Sequence, residues 1–330
     1  VWDRMVPALL AHGTTTAAYF GSTHEIATTA LAETCVRHGQ RALVGRVAMD
    51  HPDGTPDWYR DGSASESVAA SARSIEAVLR AAGETGLVRP IITPRFIPAC
   101  SDAALTGLGE LAEATGVLVQ THCSESEWEH AHVLERCGTT DTRALERFGL
   151  LRDRTVLAHA THLVGDDRAL IAARGAGIAH CPLSNVYFAD RPFAARAAMD
   201  AGIRLGLGTD IAGGPSPSLM AQCGHAVSAS QRLVDDGMSA ARIAIVAAFW
   251  MATVGGADLL GVDAGLLAPG RHFDALAVSL HRGTDGTDQL DDSPERRFER
   301  LVRLTGPADI VEVWVGGRSV VHDGPSSWQI

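Results

Sequence analysis

The chain of 330 residues carries a net charge of −11 and is 46% hydrophobic, a balance that supports a sizeable core and excludes a disordered polypeptide. The acidic excess argues against nucleic acid or an anionic membrane as the main partner, and no apolar stretch approaches the ~18 residues that span a bilayer. Six cysteines (Cys35, Cys100, Cys123, Cys137, Cys181 and Cys223) form no C-x-x-C pair, the usage of a reducing, cytoplasmic chain with free thiols.

In chain order, "VWDRMVPALLAHG" reads as a helix stopped by Gly13. Short apolar, β-rich runs then alternate with helical patterns. The predicted strands cover 14–20, 41–49, 89–96, 117–122, 155–160, 177–182 and 203–210. Helical segments such as "EIATTALAETCVRHG" and "SASESVAASARSIEAVLRAAG" place apolar residues three and four apart and end in glycine. Near-continuous apolar strands alternating with helices imply a parallel sheet covered on both faces. The expected fold is α/β, a (β/α)8 barrel showing seven of its eight strands. A Rossmann-type sheet is disfavoured, because no G-x-G-x-x-G turn follows the first strand.

Two further helices are expected over roughly 216–235 and 239–254. Beyond them, "APGRHFDALAVSL" (268–280) and "DIVEVWVGGRSVV" (309–321) alternate like strands around a Gly-Gly turn, giving a small C-terminal β element. The charged stretch 282–300 between them reads as a solvated loop. The expected division is a barrel over 1–260 and a C-terminal helix and β segment over 261–330 that completes a small β-sandwich. The start at Val1 in mid-unit and the seven strands lead to the expectation of an N-terminally incomplete barrel, its first strand missing.

In such a barrel, chemistry gathers at the C-terminal strand ends. Here five adjacent strands end in polar groups: Arg95 with Phe96, His122, His159, His180 and Asp210. Singly each has a bland reading. A histidine after an apolar run is often a core or capping residue, Asp210 suits a helix N-cap, and Arg95 suits a rim ion pair. Together, imidazoles and a carboxylate on one rim suit Zn²⁺ or Fe²⁺, which would lower the pKa of a water to about 7. Glu125, three residues past His122, then stands where it can carry a proton between water and a substrate nitrogen. Asp210, beside both metal and water, could serve as the base that orients the nucleophile.

The segments "HGTTTAAYF", "QRALVGRVAMD", "ITPRF", "QTHCSE", "LAHATHL", "IAHCPLSN" and "GLGTDIAGG" resemble, in order and spacing, the amidohydrolase superfamily and within it the guanine deaminases. The tail "GLLAPGRHFDALAV…VEVWVGGRSVV" resembles the returning half of that family's small β-sandwich. "GLGTD" and "HCP-x-SN" are shared with triazine hydrolases and other aminohydrolases, whereas "ITPRF" together with "YF…TH" is more particular to guanine deaminases. The resemblance implies that His122, His159 and Asp210 hold the metal and that Glu125 shuttles protons. It implies substrate contacts at Arg95, Phe96, His122, Glu125 and His180, with Arg95 donating to the purine carbonyl oxygen. The implied reaction is hydrolysis of guanine to xanthine and ammonia, and the implied assembly is a homodimer.

Three departures from the family pattern stand out. Leu183 replaces a polar residue in "HCP-N-SN", and Ala160 stands where glycine is common. The H-x-H metal pair that ends the family's first strand has no counterpart. "HAH", His130 and His132, lies in a helical pattern where positions i and i+2 face different ways. Two rival readings remain open: a hydrolase of another aminopurine, a pterin or a triazine, and a non-catalytic barrel that binds no metal.

Overall fold

The computed structural model describes residues 1–189, 191–279 and 293–322. Seven parallel staves wind in chain order: β1 (Thr16–Phe20), β2 (Arg41–Gly45) continued by β3 (Val47–Ala48), β4 (Val88–Pro90) continued by β5 (Thr93–Pro94), then β6 (Gln120–Cys123), β7 (Val156–His159), β8 (Gly177–His180) and β9 (Arg204–Leu207). Pairing runs β1–β2–β4 and β3–β5, then β6–β7–β8–β9. A parallel bridge from Ile92 to Val119 joins the two halves, sealed by Ile92 N–H to Leu118 O at 2.8 Å and Gln120 N–H to Ile92 O at 2.9 Å. All seven predicted strands are present. The register sets Cys123 beside His159, Ala158 beside Ala179 and His180 beside Leu207, so the strand ends share one rim. Among the described residues no pairing joins β9 to β1.

The helices are α1 (Trp2–Ala11), α2 (Glu25–His38), α3 (Ala64–Ala82), α4 (Asp102–Thr115), α5 (Glu127–Cys137), α6 (Asp141–Arg147), α7 (Asp167–Ala173), α8 (Pro182–Ala189), α9 (Ala195–Asp200), α10 (Leu219–Asp235), α11 (Ile245–Trp250), α12 (Gly256–Leu259) and α13 (Pro294–Leu304). Their ends follow local chemistry. Ser63, Ser101, Ser126, Thr140 and Ser218 each accept the N–H three residues on, capping α3, α4, α5, α6 and α10. Gly39, Gly116 and Gly138 close α2, α4 and α5 in left-handed conformation. The helix expected over 239–254 starts later, at Ile245, and passes through a π-helical turn over Met251–Gly255 into α12.

Strands β10 (Ala275–Val278), β11 (Ile310–Val315) and β12 (Arg318–His322) form an antiparallel sheet in the order β10–β11–β12, with Gly316 and Gly317 turning between the last two. This sheet shares a core with α1 and the first staves: Val6, Leu9 and Leu10 pack with Leu31, Val44, Ile310, Val313 and Val321.

One expectation is corrected. The charged stretch 282–300 is not all loop, because α13 begins at Pro294, capped by Ser293; residues 282–292 lie outside the described ones. Phe298, Leu301 and Val302 recur at three- and four-residue spacing and dock α13 on the barrel, with Phe298 edge-on to Phe249 at 5.1 Å. The apolar stripe is narrow, and the arginines and glutamates around it mask it in the sequence. No helix among the described residues is long and apolar enough to cross a membrane.

Candidate metal centre

The rim brings three of the predicted residues together. One ligand atom each from His122, His159 and Asp210 lies within 4.8 Å of the others. His122 sits in β6, His159 ends β7, and Asp210 follows β9 by three residues. The two imidazoles stack at 5.4 Å between centroids, and Phe20 from β1 lies against His122 at 4.3 Å.

Each ligand is aimed by a neighbour. His122 Nδ1 donates to the carbonyl of Arg95 at 2.6 Å, leaving Nε2 as the free lone pair. His159 Nδ1 donates to Asn185 Oδ1 at 2.8 Å, again freeing Nε2. The Ser184 hydroxyl donates to Asp210 Oδ2 at 2.6 Å. Hydrogen bonds of this kind fix the tautomer and ring orientation of metal-binding histidines. The surrounding protein, then His159, and then Arg95 push the pKa of His122 down to about 3, against the opposing pull of its bond to the Arg95 carbonyl. His122 is therefore a neutral imidazole at physiological pH, the form that coordinates metal. Two imidazole nitrogens and one carboxylate make a donor set that suits a divalent ion.

The backbone around these residues is unusual. Of six non-glycine residues with positive φ among the described ones, five lie here: Ser124 at 48°, His159 at 71°, Ala160 at 51°, Asp210 at 49° and Ala212 at 84°. Left-handed backbone costs a residue with a Cβ about 1–2 kcal/mol, and such strain concentrates where surroundings over-determine a functional geometry. Ala160, at φ 51°, occupies a conformation glycine would adopt freely. Asp210 is not a helix N-cap. Its carbonyl accepts Gly213 N–H at 2.9 Å and also Gly214 N–H, folding "TDIAGG" into a tight turn. A Cβ on Gly213 would meet Asp210 Oδ2 at 2.6 Å, and one on Gly214 would meet Thr209 O at 2.3 Å. The glycine pair is therefore a steric requirement of the turn that presents Asp210.

Glu125 Oε1 lies 3.7 Å from His159 Nε2, on the ligand face. His180 is fully buried on the adjacent stave, with its ring 5.1 Å from that of Phe193. Neither ring nitrogen has a partner among the described residues. Burial, and then the neighbouring His159, push its pKa down to about 3. Arg95 and Phe96 follow β5, beside His122. The Arg95 guanidinium is exposed, 5.4 Å from the centre of the Phe96 ring and 3.6 Å from Met49 Sδ, and Phe96 packs near Trp128 at 6.3 Å. His130 and His132 stand apart. His130 lies 3.1 Å from Asp141 Oδ2, and His132 stacks on Trp128 at 5.4 Å.

Sequence reasoning did not assign Ser184 and Asn185, although "HCPLSN" contains both. The signal was their spacing from His180 across a proline-started helix. It also missed Glu129, a buried carboxylate four residues past Glu125 that nothing in the local pattern separates from an ordinary first-turn acid.

The chain is similar to several known proteins. A probable guanine deaminase of Schizosaccharomyces pombe is 35% identical over 97% of this chain and 62% of its own length, so the chain spans less than two thirds of that relative. The guanine deaminase of Mus musculus is 34% identical, over 97% of this chain and 72% of its own. The crystal structure of a guanine deaminase from C. acetobutylicum, with bound guanine in the active site, superposes with a TM-score of 0.88 at 29% identity, covering 96% of this chain and 74% of that one. A family model described as the amidohydrolase family matches residues 1–320, and the chain belongs to that family.

Proposed function

We propose that this chain carries the active site of a guanine deaminase, hydrolysing guanine to xanthine and ammonia. The observation that carries the reading is the convergence of His122, His159 and Asp210 within 4.8 Å, with the Glu125 carboxylate 3.7 Å from His159. His122, His159 and Asp210 would hold the metal, for which zinc is proposed over iron on the nitrogen-rich donor set. A divalent ion there supplies positive charge that lowers the pKa of a nearby water to about 7.

The chain's own groups do the rest. Asp210, steadied by Ser184, orients the water that attacks the amino-bearing carbon. Glu125 takes a proton from that water and delivers it to the adjacent ring nitrogen; it then carries the remaining proton of the added hydroxyl to the amine, which leaves as ammonia as the C–N bond breaks and the new carbonyl forms. Arg95 donates to the purine carbonyl oxygen, Phe96 packs on the ring, and His180 faces the substrate with an uncharged imidazole. Proton transfer of this kind contributes about 10²- to 10⁴-fold. Glu125→Gln is therefore expected to cut ammonia release from guanine by that range while zinc content stays unchanged; normal turnover would remove Glu125 from the mechanism.

Leu183, in place of the polar residue of the family motif, favours a second reading in which another aminopurine, a pterin or a triazine is the substrate. A panel of these compounds, scored by kcat/KM for ammonia release, separates the two. Metal analysis separates both from a non-catalytic barrel, since one equivalent of zinc or iron excludes the latter. The six free thiols support a reducing compartment such as the cytoplasm, and the family likeness supports a homodimer, which sedimentation would check.

A further inference from the structure

The turn that presents Glu125 is held at each of its backbone polar groups. Ser124, at φ 48°, donates its N–H to Asp141 Oδ1 at 3.3 Å. Glu125 donates its N–H to Glu129 Oε2 at 2.8 Å. From the other side, the Ser124 carbonyl accepts the N–H groups of Thr161 at 3.0 Å and His162 at 3.2 Å. The Thr161 hydroxyl lies 2.9 Å from the Ser124 carbonyl and 2.8 Å from that of Glu125. The segment after β7 thus grips the carbonyls, and two carboxylates from α5 and α6 grip the amides.

Glu129 departs from the ordinary role of its position. It is the third residue of a helix capped by Ser126, whose hydroxyl accepts Glu129 N–H at 3.1 Å. In a capping box the glutamate would return to the N–H of the cap residue and remain near water. Here it reaches one residue further back, to Glu125, and is 2% exposed. Its Oε1 has no partner among the described residues, and Asp141 beside it is 1% exposed. Burying two carboxylates behind one turn is costly. Helix capping alone does not require it, because Ser126 already supplies the cap. Neither carboxylate belongs to the three-residue ligand cluster.

We propose that Glu129 is a positioning residue for catalysis: by accepting the Glu125 amide it fixes the proton-carrying carboxyl against His159, with Asp141 bracing the preceding amide. The inference rests on the reading of Glu125 as the proton carrier. Its action is through an acceptor oxygen, so glutamine should replace glutamate and an apolar side chain should not.

The test compares Glu129→Gln and Glu129→Met in the zinc-loaded chain. Glu129→Met is expected to lower kcat about 10²-fold, the cost of an ångström-scale misplacement, with KM for guanine and zinc content unchanged. Glu129→Gln is expected to keep kcat. Hydrogen exchange of the Ser124 and Glu125 amides should accelerate in the methionine variant and not in the glutamine variant. If methionine is not accommodated, Glu129→Ala, which admits water, takes its place. A variant that melts earlier but turns over normally when folded would overturn the proposal, as would a glutamine variant as slow as the methionine one. If the unaltered chain releases no ammonia from guanine, the substrate reading fails by itself. The exchange measurement then decides: unchanged protection in the methionine variant overturns the positioning role, and selective loss supports it.

Discussion

The chemistry at the rim depends on which nitrogen of each histidine is free, and that is settled by single partners. Arg95 contributes only its carbonyl to His122, and Asn185 contributes its side-chain oxygen to His159. The two cases differ in what mutation can reach, since the carbonyl survives any substitution at 95 whereas the amide oxygen does not survive at 185. Asn185→Leu is therefore expected to weaken zinc binding about 10- to 100-fold, measured by competition with a chromophoric chelator. Arg95→Ala is expected to leave metal affinity in place and raise KM for guanine. The histidines themselves were legible in the sequence because polar groups ending apolar strands are conspicuous. Asn185 was not assigned, since an asparagine within a helix pattern announces no partner until the helix is placed across the rim.

At the scale of elements, one short helix, α8, delivers both Ser184 and Asn185, one to Asp210 and the other to His159. Staves β7 and β9 are thereby tied through a helix that itself follows β8. Helix stops were readable from closing glycines, because a C-terminal cap is a contact within a few residues. Helix α13 was obscured, because its apolar face gains meaning only against α10 and α11. Helix packing also explains Gly109 in α4, where a Cβ would lie 2.1 Å from the Phe148 carbonyl oxygen. The backbone there cannot swing aside as a side chain would. Gly109→Ala is expected to destabilise the fold by about 1–3 kcal/mol, the usual cost of overpacking, as measured by urea unfolding, without altering the ligand cluster.

Across the whole molecule, the C-terminal sheet and α1 are far apart in sequence and share a core. Leu10, Ile310 and Val313 are each 2% exposed or less and belong to one cluster. Leu10→Ala is expected to cost about 2–5 kcal/mol through the cavity it leaves, measured as a fall in the denaturation midpoint. Co-operative loss of the C-terminal sheet signal in the same transition would show that this core joins the two ends energetically. The acidic surface shapes encounter with ligands rather than the fold; the architecture follows from the periodicity of its apolar residues.

By itself the sequence determined the seven strands, several of the helices with their glycine stops, the C-terminal hairpin, and the set of residues from which a metal site would be drawn. Those features rest on contacts a few residues apart, or on the alternation of apolar runs with helical periodicity, and so are written in order along the chain. Only the tertiary structure decided that His122, His159 and Asp210 approach within 4.8 Å, that Asn185 and Ser184 aim two of them, and that Glu129 turns inward to hold Glu125. The reason is geometric. Pairing of parallel staves converts separations of tens of residues into adjacent strand ends, and a side chain's partner across that gap has no signature in its own neighbourhood.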